Sequence, residues 1–320
     1  MTRRLFVFAA YDKDAIIDNT LLHYLRSISV LGDIIFIMDN DASKSEQEKL
    51  KSVKNVIYAK TERHGLYDFG SYRMGFEYAK NKKLLKQYDW VYFVNDSVYG
   101  PFWDIEPILK DLESRNVDLT GLIDFESPDV PVQVQSWFVG LSKELVNQKF
   151  IADFFASVSA QIDKQLIVLK YEDGLTRCCI QHGFKMSTFI SGEKFNKIHR
   201  VYDDAISVLK DGIPFIKKMA VLPGIQYLYP YTSEQIVNDI YNNALRNGKL
   251  PTVKPTDDKS PNTKFDTEKV PYKKMFRLTL LSLPILTIYC QNQEKIGVKS
   301  YKIALFDKIH IFKVMKRQVL

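Results

Sequence analysis

The sequence contains little cysteine, with three residues among 320. Cys178 and Cys179 are adjacent and Cys290 is distant, so the chain can form neither a disulfide framework nor a Cys-x-x-Cys metal site. A low and odd cysteine count is typical of proteins from a reducing compartment. We therefore exclude a small disulfide-stapled scaffold.

Long apolar runs are also lacking. The longest near the end, Leu278–Cys290, spans 13 residues and contains Pro284, whereas a membrane-spanning helix needs about 20 apolar residues. The N-terminal MTRRLFVFAA has no convincing cleavage site and predicts a first strand instead of a leader. We therefore expect no segment of the chain to cross a membrane.

Glycine is missing where a phosphate-binding loop would need it. The stretch after the first predicted strand, FAAYDKDA at residues 8–15, contains none. Nucleotidyltransferases that make sugar nucleotides place a glycine-rich phosphate loop at that point, so this class is disfavoured. The chain also has no internal repeat and no low-complexity tract.

The residues that are present are those of a folded globular protein, because 46% are hydrophobic and 26% charged. The formal net charge of +7 is unevenly distributed. Residues 271–320 hold ten Lys and Arg against two acidic residues, which leaves the first 270 residues close to neutral. A near-neutral body without a recognised motif argues against nucleic acid as a partner.

The first half alternates short β-rich runs with helical patterns, which predicts an α/β fold with parallel strands and crossover helices. Apolar spacing predicts helices over residues 14–30 and 72–85. Later segments predict a strand near residues 131–142 and a helix that enters at Glu172 or Asp173 and ends at Gly183. The five strands predicted in the first half are Arg4–Ala10, Asp33–Met38, Asn55–Ala59, Asp89–Val94 and Asp118–Ile123.

Four polar clusters follow predicted strands or begin a predicted helix. They are MDNDAS at residues 38–43, YDFGSYRMG at 67–75, VNDS at 94–97 and YEDGLT at 171–176. One such cluster can be an ordinary turn, because Asp, Asn and Ser favour turns. Their repetition after successive strands favours a ligand site, because open α/β sheets bind ligands just beyond the carboxyl ends of their strands.

In this order the segments YDFGSYRMGFEYA, VNDSVYGPF, YEDGLT and GIPFIKK resemble the bacterial rhamnan synthesis protein F family over residues 5–222. The chain is similar, more distantly, to family-2 glycosyltransferases of the GT-A fold. The resemblance implies a GT-A-like, Rossmann-type mixed sheet with flanking helices over residues 1–230. It also implies an inverting transfer of a sugar, rhamnose by the family name. The donor would be dTDP-rhamnose or a UDP-sugar, and the acceptor a polysaccharide or a lipid-linked oligosaccharide.

GT-A enzymes use an Asp-x-Asp motif with Mg²⁺ or Mn²⁺ to stabilise the departing pyrophosphate. The matching triplet is Asn95, Asp96 and Ser97, so the resemblance assigns Asp96 to the metal and its neighbours to the donor. Only one of the three is a carboxylate, and Asp96 alternatively forms a turn. His199 is a second candidate metal ligand, with an exposed histidine at a helix start as the alternative.

Further donor-binding residues follow from the same resemblance. Asp39 and Asp41 match the position at which family-2 enzymes hold the base and ribose of the donor. Carboxylates suit this role because the ribose hydroxyls need hydrogen-bond acceptors. The alternative is that both residues form a solvent-exposed turn.

A second group of candidates is Asp68, Gly70 and Arg73. Gly70 would let the backbone approach a ligand, and Arg73 would neutralise phosphate charge. The alternative is an N-capped helix with Asp68 as its cap. Lys217 and Lys218 would also meet phosphate charge, although lysines on a helix are usually just solvated.

Glu172 and Asp173 are the candidates for the general base that takes the proton of the acceptor hydroxyl. The pair resembles the Glu-Asp motif of family-2 enzymes, and the alternative is that Asp173 caps the following helix. Which carboxylate acts is left open by the sequence. Gln135 and Trp137 are acceptor-binding candidates, with a core position for Trp137 as the alternative.

The C-terminal part interleaves basic and apolar residues. After a helix and Pro-rich linker at residues 231–272, residues 273–320 are expected to form a helical, basic amphipathic extension that associates with an anionic membrane surface. This would place the protein in the cytoplasm, peripheral on the inner face of the cell membrane. The alternatives are a tail that packs on the first domain and, for the whole chain, a non-catalytic carbohydrate-binding or membrane scaffold with a degenerate site.

Overall fold

The computed structural model describes residues 2–127, 130–160, 168–191, 200–220 and 225–248, and strands within residues 273–317. The chain divides into two compact units. The first comprises Met1–Val221 with Leu228–Lys254, and the second comprises Leu222–Tyr227 with Pro255–Leu320.

A mixed sheet of eight strands forms the centre of the first unit. Its strand order is β3-β2-β1-β4-β8-β6-β7, with β9 also paired to β6. A separate two-stranded pair joins β5 to β10. The bounds are β1 Arg4–Ala10, β2 Asp33–Met38, β3 Val56–Thr61, β4 Trp90–Asn95, β5 Val98–Tyr99, β6 Leu119–Ser127, β7 Val130–Val134, β8 Phe138–Ser142, β9 Met186–Ile190 and β10 Ile216–Lys217.

Helices flank the sheet, so the predicted mixed α/β class is confirmed. The first helix, α1, begins after Asp18, whose side chain accepts a hydrogen bond from the Leu21 amide. The bounds are α1 Asn19–Ser29, α2 Lys44–Glu48, α3 Tyr67–Asn81, α4 Glu106–Ser114, α5 Lys143–Val146, α6 Lys149–Ala156, α7 Asp173–Gln181, α8 Arg200–Asp203, α9 Ala205–Lys210 and α10 Glu234–Arg246.

The central strand β1 is buried on both faces, which explains its continuous apolar sequence. Phe6 and Phe8 belong to the hydrophobic core on one face, and Leu5 and Val7 to the core on the other. Strands β1 to β4 pair in parallel, as expected. The neighbour of β4 on its other side is β8, which runs antiparallel and separates β4 from β6.

Four antiparallel strands form the described part of the second unit: β11 Lys273–Leu280, β12 Leu283–Gln293, β13 Val298–Leu305 and β14 Ile309–Arg317. A helical extension was expected here, and the structure has a sheet instead. One reason is visible in FRLTL at residues 276–280, where apolar and polar residues alternate with the period of two that a strand requires.

The helix expected within residues 231–272 is α10, which belongs to the first unit. The proline-rich residues 249–272 lie outside the described residues. Among the helices that the structure describes, none combines the length and the apolar character needed to span a bilayer.

Candidate functional site

A cleft of about 500 Å³ opens beyond the carboxyl ends of β1, β2 and β4. This is where open α/β sheets bind ligands, because loops from neighbouring strands diverge there. All of its lining residues belong to the first unit. They are Ala10, Tyr11, Asp39, Arg63, Gly65, Tyr67, Asp68, Phe69, Asp96, Ser97, Glu172, Lys218 and Met219.

Asp39, directly after β2, holds one side of the cleft together. Its Oδ1 accepts hydrogen bonds from the amides of His64 at 2.7 Å and Gly65 at 2.8 Å. Its Oδ2 lies 3.0 Å from the Arg63 guanidinium. Asp39 therefore fixes the loop between β3 and α3, while Asp41 is exposed and accepts a hydrogen bond from the Arg63 amide at 3.2 Å.

Gly70 makes room for the half-buried His64 in that loop. A Cβ at Gly70 would lie 2.3 Å from the Leu66 Cβ and 2.7 Å from the His64 ring. The His64 Nδ1 accepts a hydrogen bond from the Leu66 amide at 3.1 Å, which leaves Nε2 protonated to donate to the Ser71 hydroxyl at 3.0 Å. Burial lowers the pKa of His64, so the neutral ring is favoured.

The polar residues at the end of β4 form a hydrogen-bonded network. The Asn95 amide group donates to Asp68 Oδ2 at 2.9 Å, and its Oδ1 accepts from the Ser97 hydroxyl at 2.6 Å. Asp68 lies in the first turn of α3, where the N-cap is Leu66 without a side-chain capping bond. The structure thus brings Asp68, Asn95, Asp96 and Ser97 together.

Two basic side chains, Lys217 and Lys218, which we call the lysine pair, reach the same network. The Lys217 Nζ donates to the Ser97 Oγ at 2.9 Å, and the Lys218 Nζ lies 3.3 Å from Asp96 Oδ2. They were expected on a helix, but Lys217 ends the strand β10 and Lys218 follows it. Only 8% of Lys217 and 16% of the Lys218 side chain are exposed, so neither is an ordinary solvated lysine.

In this contact, the charged form of Asp96 is destabilised by its surroundings. Burial raises the pKa of Asp96, and the nearby Lys218 ammonium opposes this effect without cancelling it. A single contact at 3.3 Å is long for a charge-assisted hydrogen bond. The carboxylate is therefore incompletely compensated by its neighbours.

The two candidate bases occupy different environments. Glu172 ends a single π-helical turn and lines the cleft. Asp173 is the first residue of α7 and is absent from the cleft lining. Its Oδ1 is buried and makes no hydrogen bond within the described part of the chain. Burial raises the pKa of Asp173, against the opposing charge of Arg177.

Several predicted site residues lie away from the cleft. The Arg73 guanidinium contacts Glu77 at 2.8 Å and the Val158 carbonyl at 2.9 Å, not Asp68. Trp137 is 3% exposed, its indole N–H donates to Gln135 Oε1 at 3.1 Å, and its ring packs in the core beneath the Lys217 ammonium. Neither Gln135 nor Trp137 lines the cleft.

The described residues do not fit a divalent cation at Asp96. Across the ranges that the structure describes, no group of three or more His, Cys, Asp or Glu could hold a metal ion, and His199 lies outside those ranges. An ammonium group beside a divalent cation repels it, because both carry positive charge. Lys218 contacts Asp96, and Lys217 contacts Ser97, so both candidate ligands already have a cation beside them.

A second basic group lies on the other side of the loop that follows β1. We call Arg246, Asp12, Asp18 and Asn243 the Arg246 cluster. The guanidinium donates to both carboxylate oxygens of Asp12, at 2.8 and 2.7 Å, and also approaches Asp18 at 3.3 Å. Asn243 donates to Asp18 and accepts from the Tyr99 hydroxyl at 2.6 Å. These contacts attach α10 to the start of α1 and to β5.

The cleft also contains residues that sequence reasoning did not select. Tyr11 and Tyr67 are about half exposed, at 47% and 52%, and the Arg63 guanidinium lies 5.2 Å from the Tyr11 ring centroid. Tyr11 directly follows the first predicted strand and Tyr67 directly precedes Asp68, but a lone tyrosine at such a position is common. Their exposure in a cleft became visible only in the folded chain.

The family model described as rhamnan synthesis protein F matches residues 34–266. The virulence protein VirA of Vibrio anguillarum (strain ATCC 68554 / 775) is 26% identical over 219 residues, which cover 58% of this chain and 68% of VirA.

Two solved structures show weaker similarity. One is a glycosyltransferase involved in glycosylation of the major capsid of PBCV-1, with 10% identity, a TM-score of 0.35 and coverage of 75% of this chain and 98% of that one. The other is core-mannan synthase A from Aspergillus fumigatus in its Mn/GDP form, with 10% identity, a TM-score of 0.27 and coverage of 49% and 63%.

Proposed function

The chain belongs to the rhamnan synthesis protein F family, and on that premise we propose that it is an inverting glycosyltransferase with its active site in the cleft beyond β1, β2 and β4. Membership of this family supports a glycosyltransferase that acts in polysaccharide synthesis. The finer proposal is that a nucleotide-diphosphate sugar, dTDP-rhamnose or a UDP-sugar, donates to a polysaccharide or lipid-linked acceptor.

The observation that carries this proposal is the meeting of a carboxylate and an ammonium group in one cleft. Glu172 and Lys218 come from distant parts of the sequence, and both line the cleft. A sugar transferase needs a base at the acceptor hydroxyl and positive charge at the departing diphosphate. The cleft volume of about 500 Å³ lies within the usual range of small-molecule sites.

We propose Glu172 as the base, because it lines the cleft and Asp173 does not. The acceptor oxygen would attack the anomeric carbon from the side opposite the diphosphate, while Glu172 takes the hydroxyl proton. The bond between the anomeric carbon and the phosphate oxygen breaks, and its electron pair leaves with the nucleoside diphosphate. Asp39 and Asp68 are proposed to accept hydrogen bonds from the donor's ribose and sugar hydroxyls.

The purified protein should therefore release nucleoside diphosphate from dTDP-rhamnose or a UDP-sugar when a synthetic oligosaccharide acceptor is present. We expect Glu172→Gln to lower kcat by about 100- to 10,000-fold, as loss of a general base does. Asp173→Asn should lower kcat by less than about tenfold. The matched control is Glu144→Gln, an exposed carboxylate on α5 outside the cleft.

Two results would contradict the proposal. Wild-type protein that turns over neither donor, with or without added Mg²⁺ or Mn²⁺, would favour the non-catalytic carbohydrate-binding alternative. Full activity in Glu172→Gln combined with loss in Asp173→Asn would exchange the roles of the two carboxylates.

We also propose that the basic C-terminal part binds an anionic membrane surface and keeps the enzyme peripheral on the cytoplasmic face. The support is its composition, with ten basic and two acidic residues in residues 271–320. Flotation with phosphatidylserine vesicles should recover the full chain at low salt and lose it at high salt, because screening weakens such binding. Equal recovery of the full chain with neutral vesicles would contradict this proposal.

A further inference from the structure

We propose that Lys218, one member of the lysine pair, neutralises the diphosphate of the donor, so that donor binding and departure of the diphosphate do not require a divalent cation. This inference rests on the proposed function, because it concerns the same cleft. It assigns Lys218 a catalytic role and Lys217 a positioning role.

The backbone places both lysines before any ligand arrives. Strand β10 pairs with β5 so that Lys217 lies opposite Val98, and the Lys218 amide donates to the Ser97 carbonyl at 2.9 Å. Residues 217 and 218 are therefore attached directly to the segment that carries Asp96 and Ser97. A cation held by strand pairing needs little further ordering to meet a phosphate.

Packing against aromatic rings also restricts the two ammonium groups. The Lys217 Nζ lies 5.3 Å from the Trp137 ring centroid, and the Lys218 Nζ lies 5.5 Å from that of Tyr99. Such contacts stabilise a cation that has lost part of its hydration. Trp137, a candidate for acceptor binding in the sequence, instead supports Lys217 from within the core.

Asp96 holds Lys218 in the cleft without using all of its hydrogen-bonding capacity. An ammonium group has three donors, and the contact to Asp96 at 3.3 Å is long. A diphosphate brings more negative charge than one carboxylate and several oxygen acceptors. It can therefore bind Lys218 without displacing Asp96.

The same contacts explain why a divalent cation is poorly accommodated. A cation would need Asp96 and Ser97 as ligands, yet the lysine pair donates to both of them. Both ammonium groups would have to move away before a cation could bind there. With the lysines in place, the positive charge required at the diphosphate is already present.

In the transfer step the bond from the anomeric carbon to the diphosphate oxygen breaks and the electron pair stays on that oxygen. Lys218 would donate a hydrogen bond to the diphosphate as its charge grows, and it would keep its own proton throughout. The only proton that moves is the one from the acceptor hydroxyl to Glu172. The lysine therefore supplies electrostatic stabilisation alone.

The test is binding of UDP and dTDP to the full chain in EDTA, measured by isothermal titration beside UMP and dTMP. Wild-type protein should bind one of the diphosphates in EDTA, more tightly than the matching monophosphate. Lys218→Met should weaken diphosphate binding by about 10- to 100-fold and monophosphate binding by much less, because a charge-assisted phosphate contact is lost. Lys218→Arg should restore most of the difference, since it keeps the charge.

The matched control is Lys149→Met, which removes an exposed lysine that also pairs with an aspartate, Asp153, outside the cleft. Thermal unfolding of every variant checks that it is folded. No diphosphate binding by wild-type protein in EDTA, or equal binding by Lys218→Met and wild type, would overturn the inference.

The binding test also separates this inference from the proposed function. Diphosphate binding that depends on Lys218, in a protein that transfers no sugar, would contradict the enzyme proposal and leave the lysine role intact. Sugar transfer that requires Mn²⁺ and is unaffected by Lys218→Met would support the enzyme proposal and contradict the role of Lys218.

Discussion

The Arg246 cluster and the lysine pair both set basic side chains against aspartates of low exposure near the ends of β1 and β4, but with opposite effects. Burial would raise the pKa of Asp12, yet the Arg246 hydrogen bonds and two backbone amides hold it below its ordinary value. Burial raises the pKa of Asp96, and Lys218 does not cancel that rise. The difference lies in how completely each carboxylate is paired.

Arg246 uses its planar fork to donate to both oxygens of Asp12, whereas Lys218 offers one long contact to Asp96. The first arrangement gives each oxygen of Asp12 a charged hydrogen-bond donor and stabilises the fold. The second leaves the Lys218 ammonium with hydrogen-bonding capacity for a ligand in the cleft. The comparison teaches that the completeness of pairing separates a structural ion pair from a candidate ligand site in the same unit.

Breaking the Arg246 cluster should cause the largest loss of stability. We expect Arg246→Met to lower the free energy of unfolding by about 2 kcal/mol, because Asp12 loses its charged partner and Asp18 loses one of its contacts. The loss should be smaller than the about 3 to 5 kcal/mol of fully buried pairs, because 23% of the Arg246 side chain is exposed. Urea unfolding measures it, and Arg26→Met, an exposed arginine on α1, is the control.

A comparable loss of stability in Lys218→Met would remove the distinction between the two groups. We expect that variant to lose diphosphate binding while its free energy of unfolding changes less than that of Arg246→Met.

A smaller effect should follow from Arg246→Lys, which keeps the charge but removes the fork. We expect a loss of about 1 kcal/mol in the free energy of unfolding, because one of the two charge-assisted bonds to Asp12 cannot form. Urea unfolding compares it with Arg246→Met. Identical losses in the two variants would mean that the planar geometry of the guanidinium accounts for the whole stabilisation and that its charge contributes nothing.

The smallest effect should appear in the acid dependence of stability. The pKa values of Asp12 and Asp18 are lowered from 3.8 in the folded protein, so their contribution is present above that pH and is lost as the pH falls through the folded values. Urea unfolding between about pH 5 and pH 2 should show a shallower decline for Arg246→Met than for wild type. Parallel declines in the free energy of unfolding of the two proteins would contradict the assignment of this acid dependence to the carboxylates of the Arg246 cluster.

The apolar core could be predicted well from the sequence. Strands β1 and β2 match the predicted bounds to the residue, because strands buried on both faces need uninterrupted apolar runs. The start of α3 was predicted five residues late, since Asp68, Gly70 and Ser71 read locally as a turn. Burial of Phe69 and Tyr72 makes that turn helical in the folded chain.

The candidate site could be predicted only in part. Its acidic residues Asp39, Asp68, Asp96 and Glu172 were recognisable, because polar clusters follow apolar strands. The strand carrying Lys217 was not, since a pair of two-residue strands has no sequence period to detect. The C-terminal strand β11 shows the opposite case, because the alternation of FRLTL at residues 276–280 was present in the sequence but the segment was interpreted as helical.

By itself the sequence determined the buried central strands β1 and β2 and their bounds, because burial on both faces requires an uninterrupted local run of apolar side chains. Only the tertiary structure decided which polar groups meet. Ser97 and Lys217 are 120 residues apart and yet share a hydrogen bond. That contact depends on strand pairing and helix packing between distant parts of the chain, and no local pattern records it.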